Sequence, residues 1–229
     1  GTIFVTDTYQ TPYMKGLRVG AYPLDDVNDR SGNAKTLTNN NSTTFTSGPF
    51  GNAATFNGTN QSLSRTGDSD FNIDGSGSCT VSFYFKSTSA SNPAAVVRMV
   101  AIERAAGTEA FEFWFNTNGT LSVYIDDGAG IATITSPGDF HDSNWHHVVG
   151  IVSFSSDFLR FYVDGVQIAT TGWTNSNSFG TDALYVGSNE DLSVFFAGQV
   201  AQLSVTMSKW SENEINFEYQ RMLRGLAGA

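Results

Sequence analysis

The sequence predicts an all-β fold, two antiparallel sheets packed as a sandwich with one short helix near the C-terminus. Three observations predict it: short runs of alternating polar and apolar residues, turn residues at near-regular spacing between them, and one late amphipathic stretch. With 40% hydrophobic residues and 18 Phe, the 229 residues carry enough apolar material for a large core without disulfides. No repeat and no break in composition divides the chain, so residues 1–229 read as one domain, with residues 1–16 a candidate N-terminal arm.

The first strand-like run holds the single cysteine, Cys79, in Cys-Thr-Val-Ser-Phe, where a thiol serves as a small buried hydrophobe. Phe111, Phe113 and Phe115 share one face of the next strand, with Glu112 and Trp114 on the other. A turn at residues 116–119 leads to Leu121, Val123 and Ile125 on one face and Ser122, Tyr124 and Asp126 opposite. The two runs predict a hairpin with one core face and one open face. Residues 145–152 form another strand. Residues 159–163 and 166–168 form a second hairpin through Asp164-Gly165, a pair suited to a turn whose central residues both need positive φ. Residues 183–187 and 196–205 supply two more strands.

Ser211 and Glu214 make a capping box, and Ile215, Tyr219 and Met222 recur on one helical stripe. Gly225 is the expected helix stop. A lone helix after so many strands should dock on the sandwich.

Four stretches in order resemble the laminin-G-like subgroup of the concanavalin A-like lectin/glucanase superfamily, over roughly residues 17–224. They are Gly20-Ala-Tyr-Pro-Leu-Asp25 with Asp29-Arg-Ser-Gly-Asn33; Ala53-Ala-Thr-Phe-Asn-Gly58; Trp145-His-His-Val-Val149 followed by Tyr162-Val-Asp-Gly-Val166; and Phe196-Ala-Gly-Gln-Val200 leading to the capped helix. The resemblance implies jelly-roll order with one concave and one convex sheet. It implies no single function, because its members bind glycans or proteins, coat surfaces or hydrolyse polysaccharides.

Charge and motifs narrow the field. Twelve basic against 22 acidic residues give a net charge of −10, which argues against nucleic acid or an anionic membrane as partner. No run of 18 apolar residues is present for membrane insertion. Glucanases of the superfamily carry Glu-x-Asp-x-Glu on one strand; here Glu112 is a lone carboxylate on its strand. There is no Gly-x-Ser-x-Gly and no His-Glu-x-x-His, and His146 and His147 point to opposite faces of a strand. The chain therefore reads as a non-enzyme that needs no cofactor.

Calcium is the one metal for which the sequence offers candidates. The resemblance implies a structural calcium near the opening loop, where Asp25, Asp26, Asp29 and Asn33 stand; a solvated turn is the other reading. Its final-strand counterpart is weakened, since Ala201 and Gln202 stand where some members have Asp. Asp70, Asn72 and Asp74 copy the first half of a calcium loop, but Val81 occupies the place of the closing acid and favours a turn.

The binding candidates are Glu112, Trp114, Ser122, Tyr124 and Asp126 on one open face, and Trp173 in a polar loop. Aromatic faces stack on sugar rings while flanking polar groups orient the hydroxyls. The other reading has this face covered by a loop or the N-terminal segment. The leading expectation is a non-catalytic, carbohydrate-binding domain of an extracellular, cell-surface or virion protein, similar in turn composition to domains on phage particles. The alternatives are a structural or assembly module that binds protein or its own copies, with residues 1–16 gripping a neighbour, and a degenerate glycoside hydrolase. The start at Gly1-Thr2, without Met, reads as a processed or excised chain.

Overall fold

A computed structural model of the chain describes residues 18–73, 77–88, 92–104, 108–173, 180–181 and 183–227. The proposed arm at residues 1–16, Asp74, and most of the loop after Trp173 lie outside the described residues.

The chain begins with β1 (Arg18–Tyr22), β2 (Thr38–Asn40), β3 (Thr44–Gly48), β4 (Gly51–Asn57) and β5 (Ser62–Arg65). Next come β6 (Ser78–Ser87), β7 (Val97–Glu103), β8 (Ala110–Phe115), β9 (Leu121–Asp126) and β10 (Ile131–Thr135). It ends with β11 (His146–Ser153), β12 (Phe158–Val163), β13 (Val166–Gly172), β14 (Ala183–Val186), β15 (Ala197–Thr206) and the helix α1 (Glu212–Ala227).

Two antiparallel sheets result. One runs β13-β12-β11-β6-β15-β4-β3, with β1 pairing the later half of β15; the other runs β10-β9-β8-β7-β14-β5-β2. Their inner faces meet on aromatic rings. Phe83 meets Phe113 edge-on at 5.2 Å and 89°, and Phe85 lies 6.0 Å from Phe115 and 6.3 Å from Phe196. These rings are fully buried, and burial of each stabilises the fold by about 1.5–3 kcal/mol. Cys79 is buried among them, and burial pushes its thiol pKa up, as a structural role requires.

Local chemistry accounts for the connections. Asp164 and Gly165 both take positive φ, 50° and 76°, so the β12–β13 hairpin turns as its Asp-Gly pair predicts. Ser211 and Glu214 cap α1 reciprocally: Ser211 N donates to Glu214 Oε2 at 2.6 Å and Glu214 N to Ser211 Oγ at 3.3 Å. One expectation fails here. Helix α1 does not stop at Gly225 but runs to Ala227. Gly225 serves a close approach instead, because a Cβ there would lie 2.5 Å from Pro49 O and from the Phe50 ring.

The helix covers the outer face of the first sheet. Ile215 packs with Val149, Ile151, Tyr162 and Trp210, and Met222 with Ala53, Tyr84 and Ala201. Tyr84 OH donates to the Glu218 carbonyl at 2.8 Å and ties the sheet to the helix. No helix among the described residues is long and apolar enough to cross a membrane.

Candidate functional site

The outer face of the second sheet carries most of the expected binding residues. Register places Thr133, Tyr124, Glu112, Ala101, Tyr185, Ser64 and Thr38 in one row across all seven strands. Beside that row Trp114 pairs with Arg98 on β7 and with Ser122 on β9. Among the described residues no helix lies over this face.

Trp114 and Tyr124 stack at 4.7 Å between centroids and 24° between planes. The Arg98 guanidinium lies 5.0 Å from the Trp114 ring, and its Nε donates to Glu112 Oε2 at 3.1 Å. The indole N–H of Trp114 donates to the same oxygen. Tyr124 OH donates to Asp126 Oδ2 at 2.9 Å; burial first and then this carboxylate push the phenol pKa up. Both rings are only half-buried, so the aromatic pair is fixed in place yet reaches solvent.

These residues border a cleft of about 320 Å³, of a size suited to a small ligand. Arg104 and Glu109 form its rim through an ion pair of 2.5 Å. Asn189, Glu190 and Asp191 also line the cleft. Glu103 and Glu112 are its buried carboxyls, 5% and 4% exposed, and a hydrogen bond between them raises the Glu103 pKa. Burial, then the hydrogen bond and charge of Glu112, then the charge of Glu190 push the Glu103 pKa far above the usual carboxylate range. Its surroundings thus favour the protonated form of Glu103 beside the Arg98-paired Glu112. A second cavity, of about 560 Å³, lies among Ser87, Asn92, Phe115, Val194, Phe195 and Phe196 and is more apolar.

Glu112, Trp114 and Tyr124 thus line the cleft together, while three other predicted binding residues take different places. Ser122 is buried, accepts from Asn116 Nδ2 at 2.8 Å and bonds Thr135 Oγ1 at 2.8 Å, so neighbouring polar side chains hold its hydroxyl. Asp126 accepts from Tyr124 and from Gly128 N at 2.8 Å, and it shapes the cleft from behind. Trp173 is no loop platform: it is 8% exposed and meets Phe154 edge-on at 5.4 Å in the main core. Its ring folds inward just past the end of β13, where apolar burial outweighs the polarity of its flanks.

The acidic loops do not converge. Asp29 accepts from Ala21 N, Ser31 N, Ser31 Oγ and Lys35 N at 2.6–3.1 Å. Burial alone would raise its pKa, but these bonds outweigh it and hold the carboxyl below the usual range. Asp26 is taken by Asn28 and Arg30, Asp25 lies 3.7 Å from Arg30, and Asn33 Nδ2 donates to the carbonyls of Arg18 and Val19. Asp70 contacts Lys35 Nζ at 2.6 Å, and Asn72 ends a short 3-10 turn, Ser69–Phe71. Lys35 also pairs with Asp68, whose pKa burial would raise but Lys35 and Arg65 hold down at about 2. Among the described residues no three His, Cys, Asp or Glu side chains gather as a metal site needs.

Sequence reasoning missed Arg98, Glu103 and the 189–191 loop. It passed over β7 because a register shift between Arg98 and Val100 puts Met99 and Val100 both in the core, which breaks the alternation. The acidic end of that apolar run, at Glu103, was the available signal.

The binding domain of Paraclostridial Mosquitocidal Protein 1 is similar at 15% identity and a TM-score of 0.72, covering 90% of this chain and 52% of that one. The botulinum neurotoxin serotype D binding domain is similar at 12% identity and a TM-score of 0.72, with 91% and 52% covered. A structure that ties cell entry of botulinum neurotoxin type C to two ganglioside molecules is similar at 10% identity and a TM-score of 0.74, with 93% and 53% covered. The chain spans about half the length of these structures, and at such identities the likeness shows the fold. No curated protein matches the chain significantly in sequence. The laminin-G-like model of the concanavalin A-like lectin/glucanases superfamily matches residues 57–216, more than half of the chain, and the protein belongs to that superfamily.

Proposed function

We propose that this chain is a non-catalytic recognition domain of an extracellular or particle-surface protein, and that it binds carbohydrate in the cleft beside Trp114 and Tyr124. The observation that carries the reading is the half-buried Trp114–Tyr124 stack, clamped by Arg98 and Glu112 at the edge of a cleft of about 320 Å³. A fixed aromatic surface loses little entropy on binding a sugar ring, and adjacent carboxyl groups bond its hydroxyls. The family and the toxin binding domains of similar fold support recognition over catalysis.

Glu103 and Glu112 do bring two carboxyls together from different strands, as a hydrolase would need. Glu112 is held by Arg98 and by the Trp114 indole, and Glu103 is buried, so neither carboxyl stands free on the cleft as an acid or nucleophile must. The pair acts here as a polar floor to the cleft.

A glycan-array screen of the purified domain, with and without calcium, tests the reading beside Trp114→Ala and Tyr124→Ala. Binding that both variants lose while their thermal melts stay cooperative is expected. Binding that survives both would move the site to the second cavity. A blank array with a folded protein would turn the case toward assembly, to be read by light scattering as self-association.

A further inference from the structure

The cleft holds an imbalance that the carbohydrate reading does not use. Its two arginines are committed, Arg98 to Glu112 at 3.1 Å and Arg104 to Glu109 at 2.5 Å. Glu103 has no cationic partner among the described residues, and its Oε2 is buried without a hydrogen-bond partner. Beside it stand Glu112 from β8 and Glu190 from the loop after β14, whose backbone N–H it accepts, while Asp191 of that loop also lines the cleft. Asp191 is itself held by Ser193 and Asn189. The Glu103 carboxyl meets Glu112 and the Glu190 N–H, yet its Oε2 is left without a donor, and the surrounding carboxylates disfavour its ionised form.

We infer that the cleft selects an amine-bearing sugar, with the ligand's ammonium seated on the Glu103–Glu112 pair and its ring against Trp114 and Tyr124. The inference rests on the carbohydrate reading of the same cleft. An ammonium supplies three donors and one positive charge, which gives the orphaned Oε2 a donor and offsets the carboxylate charge around it. Calcium is the poorer match, because no three carboxylates converge among the described residues. An anionic sugar would meet Glu103, Glu112 and Glu190 with no arginine uncommitted. A proton accompanies binding. Burial and Glu112 favour the protonated form of Glu103 in the empty cleft, and the arriving cation favours the ionised form, so the carboxyl proton passes to the buffer while the ammonium keeps its own.

Isothermal titration at pH 6 tests this with a glucosamine hexamer and an N-acetylglucosamine hexamer of equal length, each in two buffers of different protonation enthalpy. The amine form is expected to bind ~10-fold or more tightly and to release protons on binding. Glu103→Gln is expected to melt cooperatively like the parent, to bring the two hexamers to similar affinity and to abolish the proton release. Equal or weaker binding of the amine form, or a preference unchanged in Glu103→Gln, overturns the inference. Preference for a lysine polymer over the glucosamine hexamer overturns it in favour of a protein ligand. If other glycans bind through Trp114 without any preference for amines, the inference falls and the carbohydrate reading stands. If no glycan binds at all, both fall.

Discussion

The outer face of the sheet around β6, β11 and β15 carries Tyr84, His147, Val149 and Ile151 under helix α1. The outer face of the sheet around β7, β8 and β9 carries Arg98, Glu103, Glu112, Trp114 and Tyr124 under no helix among the described residues. Strand composition explains the contrast. Every residue of β11 is buried, and its near-continuous apolar run needs cover on both sides. Strand β8 instead alternates Phe111, Phe113 and Phe115, which point into the core, with Glu112 and Trp114, so its apolar side chains need cover on one. Where apolar side chains point both ways the chain supplies a helix. Where they point inward only, the other face is left to polar and aromatic groups that can meet a ligand.

The largest test of this contrast lies at the covered face. Ile215→Ala removes a side chain buried against Val149, Ile151 and Trp210 and is expected to cost about 2–4 kcal/mol in urea unfolding. Glycan affinity at the cleft should stay unchanged, and a parallel loss in the folded variant would show the two faces to be coupled. Next is Gly225→Ala. Alanine favours helix by about 1 kcal/mol, yet its Cβ would meet Pro49 O and Phe50, so a net loss of about 1–3 kcal/mol is expected. A stabilised variant would mean that the helix sits less tightly on the sheet.

The faces should also answer pH with opposite sign. On the covered face His147 bonds Ser82 at 2.8 Å, and burial first, then Arg221, hold its pKa at about 3. The unfolded chain protonates there near the ordinary 6.5, so this residue's contribution is lost as pH falls from about 6.5 toward 3. On the open face the raised pKa of Glu103 means that the folded state keeps a proton the unfolded state gives up above about 4.5. Stability from that residue falls as pH rises. Glu103→Gln should therefore exceed the parent at pH 8, by on the order of 1–3 kcal/mol, and converge with it near pH 4.5. Chemical denaturation at the two pH values reads this directly, and an unchanged gap would place the Glu103 titration elsewhere.

The smallest effect is expected from calcium. With Asp29 already accepting four hydrogen bonds, dialysis against chelator should move Tm by less than about 1 °C. A larger calcium-dependent rise would reinstate the opening loop as a cation site.

The fold was legible where local patterning is clean. The β8–β9 hairpin, the Asp164-Gly165 turn and the capped start of α1 all follow from residues within a few positions of one another. Half of the predicted binding residues line the candidate cleft. Glu112, Trp114 and Tyr124 announce themselves by alternation, but alternation does not tell an open side chain from one consumed by its neighbours. Ser122 is spent on Asn116 and Thr135, and Trp173 on Phe154. Arg98 and Glu103 stayed hidden behind the register shift in β7.

The sequence by itself determined the sandwich class, the inward set of Phe and aliphatic residues, and the family, because strand period, turn chemistry and capping act over short stretches of chain. Only the tertiary structure decided which sheet the helix covers, which carboxyl meets Glu112, and that the opening aspartates turn to backbone amides and Arg30. Those outcomes depend on the order and register in which separate strands pair, and such pairing brings together side chains whose local sequence carries no record of one another.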